Sequence, residues 1–110
     1  MTTKEKRYRK AVCKDGFSVS IQANKGAYCN PRSNSGPYTS VELGYPNQYE
    51  PLIESYAEDP ENPTMTVYGY VPSEIVLEML LKHGGWVDGE VPPMIIAGDS
   101  IEPLGGNSEE

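Results

Sequence analysis

The chain has 110 residues, enough for one hydrophobic core and too few for two. Its hydrophobic content of 37% and net charge of −7 place it near the border of disorder, but eight tyrosines and one tryptophan add much buriable surface per residue. No apolar run is long enough for a membrane span, the basic leader 1–10 lacks the apolar stretch of a signal peptide, and two cysteines with one histidine fall short of an ordinary structural zinc site.

The first predicted strand is Phe17–Ala23, where Phe17, Val19, Ile21 and Ala23 alternate with polar residues. Lys14-Asp15-Gly16 before it is an Asp-Gly turn, so residues 8–13 are expected to be its hairpin partner. Residues 24–37 form a long loop of Asn, Gly, Ser and Pro. A strand over 38–45 follows, with Val41, Leu43 and Tyr45 on one face, and Pro46 ends it. Residues 50–56 hold one helical turn around Leu52 and Ile53, and residues 58–63 are an acidic, proline-bounded loop. Another strand is expected over 64–71.

Pro72 opens a helix that runs to His83 and stops at Gly84, the position that favours a left-handed residue. Glu74, Glu78 and Lys82 make a narrow polar stripe, and the rest of the helix surface is apolar. Its excess apolar face is expected to be covered by residues 91–96 or by a second subunit, which would make a homodimer through the 72–83 helix. Trp86 and Val87 are expected to close one end of the core. The predicted fold is α+β, an antiparallel sheet of three or four strands with the 72–83 helix packed on one face. It occupies residues 1–104, with a basic arm at 1–10 and a disordered tail at 105–110.

Charge is divided along the chain. Residues 1–32 hold eight of the nine basic side chains and only two acids, for +6; residues 33–110 hold Lys82 against fourteen acids, for −13. Such a negative surface steers encounters with basic partners and repels nucleic acid, so no direct nucleic-acid binding is expected. The recognition residues expected from this pattern are Glu54, Glu58, Asp59 and Glu61, with Tyr49 and Tyr56 as anchors. Tyr45 and Tyr68 are read instead as cover for the strands. A second candidate lies at residues 24–38, where Tyr28 and Arg32 of the long loop and Tyr38 just after it offer aromatic faces and a planar cation to an anionic small molecule or signalling nucleotide.

Catalytic chemistry has little support. His83 sits in the last helical turn, where a capping or surface role is expected. Cys13 reads as a small core residue and Cys29 as a free loop cysteine beside Arg32, with a Cys13–Cys29 disulfide as the lesser alternative. Glu58, Asp59 and Glu61 lack the spacing of a calcium loop, and neither Gly84-Gly85 nor Gly105-Gly106 has the context of a phosphate cradle. The expected protein is non-enzymatic, without metal or cofactor, and cytoplasmic.

Three segments carry a resemblance: residues 28–32 (YCNPR), 36–46 (GPYTSVELGYP) and 66–72 (TVYGYVP). Together they resemble small proteins of tailed bacteriophages and prophages, over about residues 16–85. The resemblance implies a host-cell setting and a role such as inhibition of a host machine, including anti-CRISPR and other counter-defence activity. In that role the acidic protein would occupy the basic groove of a host nucleic-acid-handling or defence complex. A structural or assembly protein is the remaining alternative.

Overall fold

The computed structural model describes residues 6–96. Asp15-Gly16 makes the first turn as its residue types require: Gly16 takes φ +96° and the Asp15 carboxylate accepts from the Phe17 N–H at 2.9 Å. This turn joins β1 (Ala11–Cys13) to β2 (Ser18–Gln22) in antiparallel register, Ala11 opposite Val19. After the long loop, β3 (Ser40–Gly44) pairs with β2, Ile21 opposite Leu43. A 3₁₀ helix at Pro51–Tyr56 precedes β4 (Val67–Pro72), which pairs with β3 and leads directly into α1 (Ser73–Lys82). A short β5 (Trp86–Asp88) returns along β1.

The α+β class is therefore present, but among the described residues the sheet has five strands in the order β4-β3-β2-β1-β5 rather than three or four. The additional strand, β5, is three residues long, pairs at the sheet edge, and is exposed along its whole length. It shows no burial alternation for a periodicity argument to detect. Trp86 and Val87 accordingly lie outside the core instead of closing it.

Alternation in the strands puts Ala11, Cys13, Val19, Ile21, Val41, Leu43, Tyr68 and Val71 on one buried face. Ile53 of the 3₁₀ helix and Val76, Met79 and Leu80 of α1 belong to the same core. The opposite face carries half-buried Val12, Ser18, Ser20, Glu42 and Val67. Two tyrosines break the pattern. Tyr45 takes φ +51°, which turns its side chain away from the Val41 and Leu43 face and leaves it half exposed, against expectation. Tyr70 takes φ +53° at a bulge, where Val41–Leu43 of β3 faces Tyr68–Val71 of β4 with one residue in excess.

α1 ends as expected. His83 caps it, Gly84 takes φ +92°, and the Gly84 and Gly85 N–H groups donate to Leu81 and Leu80 carbonyls at 3.0 and 2.7 Å. Its N-terminal Ser73 is buried, and its hydroxyl donates to the Tyr38 carbonyl rather than capping the helix. Residues 91–96 run beside Tyr38, whose N–H donates to Pro93 and whose carbonyl accepts from Ile95. Val91 and Met94 pack on the core, yet Leu77 and Leu81 of α1 stay exposed. The tail expected at 105–110 lies outside the described residues. Both cysteines are free and buried. No helix among the described residues is long and apolar enough to cross a membrane.

Candidate functional site

The acidic residues separate into groups with different surroundings. Leader cations take two of them: Lys6 meets Glu90 at 3.3 Å and Arg9 meets Asp88 at 3.7 Å. The Glu90 carboxyl is held below its ordinary range, first by the Arg9 N–H and then by Lys6. Glu54, Glu58, Asp59 and Glu61 are exposed and form no ion pair among the described residues.

Backbone pairing holds this acidic segment in place. The Glu58 N–H donates to the Val67 carbonyl at 3.0 Å, and the Asp59 N–H to the Thr66 hydroxyl at 3.0 Å. The Asn62 side chain donates to the Asp59 carboxylate, so the loop is tied across to residues 66 and 67 at its start and to itself at Asp59. Tyr49 is half exposed and its hydroxyl donates to Glu54 at 2.7 Å, which raises the tyrosine pKa. Tyr56 is half-buried against the core, so part of the area expected of an anchor is already used in folding.

The three residues expected to clasp an anion do not come together. Tyr38 is buried, its hydroxyl donates to the Ser33 carbonyl at 2.8 Å, and burial raises its pKa. Its ring packs under the loop because residues 91–96 and Ser73 claim its backbone. Tyr28 and Arg32 do meet, the guanidinium lying 5.7 Å from the ring centre, and Tyr70 takes the third place with its ring 5.9 Å from that of Tyr28. Gly69 allows this, since Tyr28 passes directly over it. Cys29 is not an accessible loop thiol. It is fully buried with its Sγ 3.2 Å from the Asn24 carbonyl, and burial pushes its pKa up.

The densest constellation surrounds His83, which is buried rather than at the surface. Its Nε2 lies 2.6 Å from Glu50 Oε1 and its Nδ1 lies 2.7 Å from Asp15 Oδ2. Ionised carboxylates only accept, so both ring nitrogens donate and the imidazole is a cation. The Phe17 ring stacks on it at 4.1 Å. Glu50 Oε2 accepts from Lys82 Nζ at 2.8 Å and from the Leu52 N–H at 2.9 Å, the latter capping the 3₁₀ helix. Two anions and two cations alternate from Asp15 to Lys82, with zero net charge.

Burial opposes the charge on His83, but Glu50 and then Asp15 overcome it and raise the pKa above the ordinary value. Burial likewise opposes ionisation of Glu50, and Lys82, the Leu52 N–H and His83 together bring its pKa below the usual range. Asp15 is lowered first by the Phe17 N–H and then by His83. A ring with both nitrogens donating has no lone pair to accept a proton, so His83 in this arrangement is a tie and not a general base.

A separate cleft of about 320 Å³ opens near the half-buried face of the sheet, lined in part by Arg7, Gln22, Asn24, Glu42, Tyr45 and Val67. Among the described residues no three His, Cys, Asp or Glu side chains converge as a metal site. No family model, curated protein or solved structure matches the chain.

Proposed function

We propose that the protein is a non-enzymatic binding module that presents residues 54–61 to a basic groove on another protein, one built to hold nucleic-acid phosphates. The observation that supports this most is the pairing pattern. The leader's Lys6 and Arg9 are taken up by Glu90 and Asp88, and Glu54, Glu58, Asp59 and Glu61 stay exposed without an internal cation. A braced loop loses little conformational entropy on docking, which favours recognition over simple solvation. Tyr49, half exposed and oriented by Glu54, adds rigid amphipathic area beside the charges. The counter-defence setting implied by the phage-protein resemblance agrees with such a surface.

The test is capture from a bacterial lysate at low and high salt, with the wild type beside Glu58→Lys, Asp59→Lys and Glu61→Lys combined. All three sites are exposed, so folding should change little. The wild type should retain a partner that salt releases, and the triple variant should not. Retention of the same partner by the folded triple variant removes this segment from the interface.

A further inference from the structure

We propose that the cleft beside the sheet binds a mononucleotide, with the base edge on Glu42 and the phosphate on Arg7. The cleft is separate from the acidic loop and does not depend on its role. Its volume of about 320 Å³ is at the lower end for small-molecule sites, and Tyr45 is among the residues that line it.

The amides in that wall are already committed. The Gln22 side chain donates to the Tyr8 carbonyl at 2.7 Å and to the Ser20 hydroxyl at 2.9 Å, and accepts from the Tyr8 N–H. Asn24 accepts from the Gly26 N–H at 2.8 Å and donates to the Lys6 carbonyl. These bonds fix the walls before any ligand arrives. Arg7 and Glu42 differ from them. Both line the cleft, yet they form no ion pair with each other or with any other described residue. Glu42 Oε1 accepts from the Tyr28 N–H at 2.9 Å, and no described group donates to Oε2.

Opposite charges that share a cleft without touching suit an occupant that is itself dipolar. Its N–H edge belongs at Glu42, because a carboxylate accepts and repels anions. Its anionic group belongs at Arg7, whose planar fork matches phosphate. The rest of the occupant is left to Tyr45, which also lines the cleft and is held at φ +51°, a conformation that tyrosine seldom adopts. A flat ring suits this wall better than an aliphatic chain does. Among bases, guanine presents adjacent N–H groups to a carboxylate, so a guanine mononucleotide is the best match.

Isothermal titration of the full chain with GMP, UMP, guanosine, inorganic phosphate and free arginine tests the proposal. GMP should bind saturably, at least about tenfold more tightly than UMP or guanosine, and phosphate alone should not bind because Glu42 repels it. Glu42→Gln keeps an acceptor for the Tyr28 N–H, so the fold should persist while GMP weakens by about tenfold or more. Arg7→Ala should reduce GMP to the level of guanosine. The acidic-loop triple variant should bind GMP like the wild type, so the two readings fail separately. Absence of GMP binding at millimolar concentration, unchanged affinity in a folded Glu42→Gln chain, or preference for arginine or phosphate over every nucleotide overturns the proposal.

Discussion

Glu50→Gln isolates the electrostatics of the buried network with almost no change of shape. In the wild type Glu50 accepts from Leu52, Lys82 and His83 while almost completely buried. A glutamine has one acceptor oxygen, which the Leu52 N–H and Lys82 ammonium will hold, so its amide N–H₂ turns toward His83 Nε2. That nitrogen must then give up its proton and accept, and His83 becomes neutral. A buried charge-assisted hydrogen bond contributes roughly 1.5–3 kcal/mol. Lys82 is partly exposed, which reduces its share. The variant should therefore lose about 2–3 kcal/mol at pH 6, a drop of roughly 10 °C or more in melting temperature for a domain of this size.

The pH dependence supplies the discriminating result. The pKa of His83 is raised in the folded state, so its contribution is complete below the unfolded value of about 6.5 and is lost as pH rises through the folded value. Those of Glu50 and Asp15 are lowered, so their contributions are complete above the unfolded carboxylate range near 4 and are lost as pH falls through their folded values. Wild-type stability should be greatest between about pH 4.5 and 6.5 as far as this network decides it. In Glu50→Gln the alkaline loss should largely vanish, so the gap from wild type should shrink as pH rises through the folded-state value of His83. NMR titration of the chain's one histidine locates the folded value directly, and urea unfolding below and above it measures the gap. Wild-type His83 titrating at or below its unfolded value of about 6.5 would refute a cationic His83.

Two further substitutions test packing and backbone strain. Ile53→Ala should cost about 2–5 kcal/mol by urea unfolding, because Ile53 is the one buried residue of the 3₁₀ helix and belongs to the core under the sheet. A cost below about 1 kcal/mol would mean that the 3₁₀ helix does not contribute to that core. Tyr45→Gly should be neutral or stabilise by about 1 kcal/mol, since it relieves φ +51° at a half-exposed site, and it should weaken nucleotide binding through loss of the ring. A marked loss of stability there would show that the ring packs in the fold after all.

The elements that could be read from the sequence have local causes. The β1–β2 hairpin follows from Asp15-Gly16 and from strict alternation over Phe17–Ala23, and the end of α1 follows from Gly84. β5 escapes the same reading because only β1 makes it a strand. Spacing alone puts Tyr45 on the inner face with Val41 and Leu43, and a positive φ at one residue is enough to reverse that placement. Local spacing sets Tyr38 where the long loop meets the strand and gives no sign of its burial, which depends on Ser73 and on residues 91–96, elements 35 and more positions away. His83 is the extreme case, with partners 68 and 33 residues distant at Asp15 and Glu50. One local signal was available: Glu50 stands directly before Pro51, as an acid capping a helical turn would.

The division of charge that dominates the sequence does not become a division of the molecule into two charged halves. Antiparallel folding returns residues 86–90 to β1 and the leader, so Asp88 and Glu90 meet Arg9 and Lys6 at the sheet edge. The same closure brings Asp15 to His83, and the 3₁₀ turn brings Glu50 to His83 and Lys82, which neutralises two more acids inside the protein. Glu42 is set apart in the cleft, where Arg7 shares the space without pairing. Glu54 in the 3₁₀ helix and Glu58, Asp59 and Glu61 on the loop after it form no ion pair with the described leader cations. Glu74 and Glu78 of α1 are likewise exposed and unpaired among the described residues, so charge reversal confined to Glu58, Asp59 and Glu61 tests the proposed surface more sharply than any change in the total of −7.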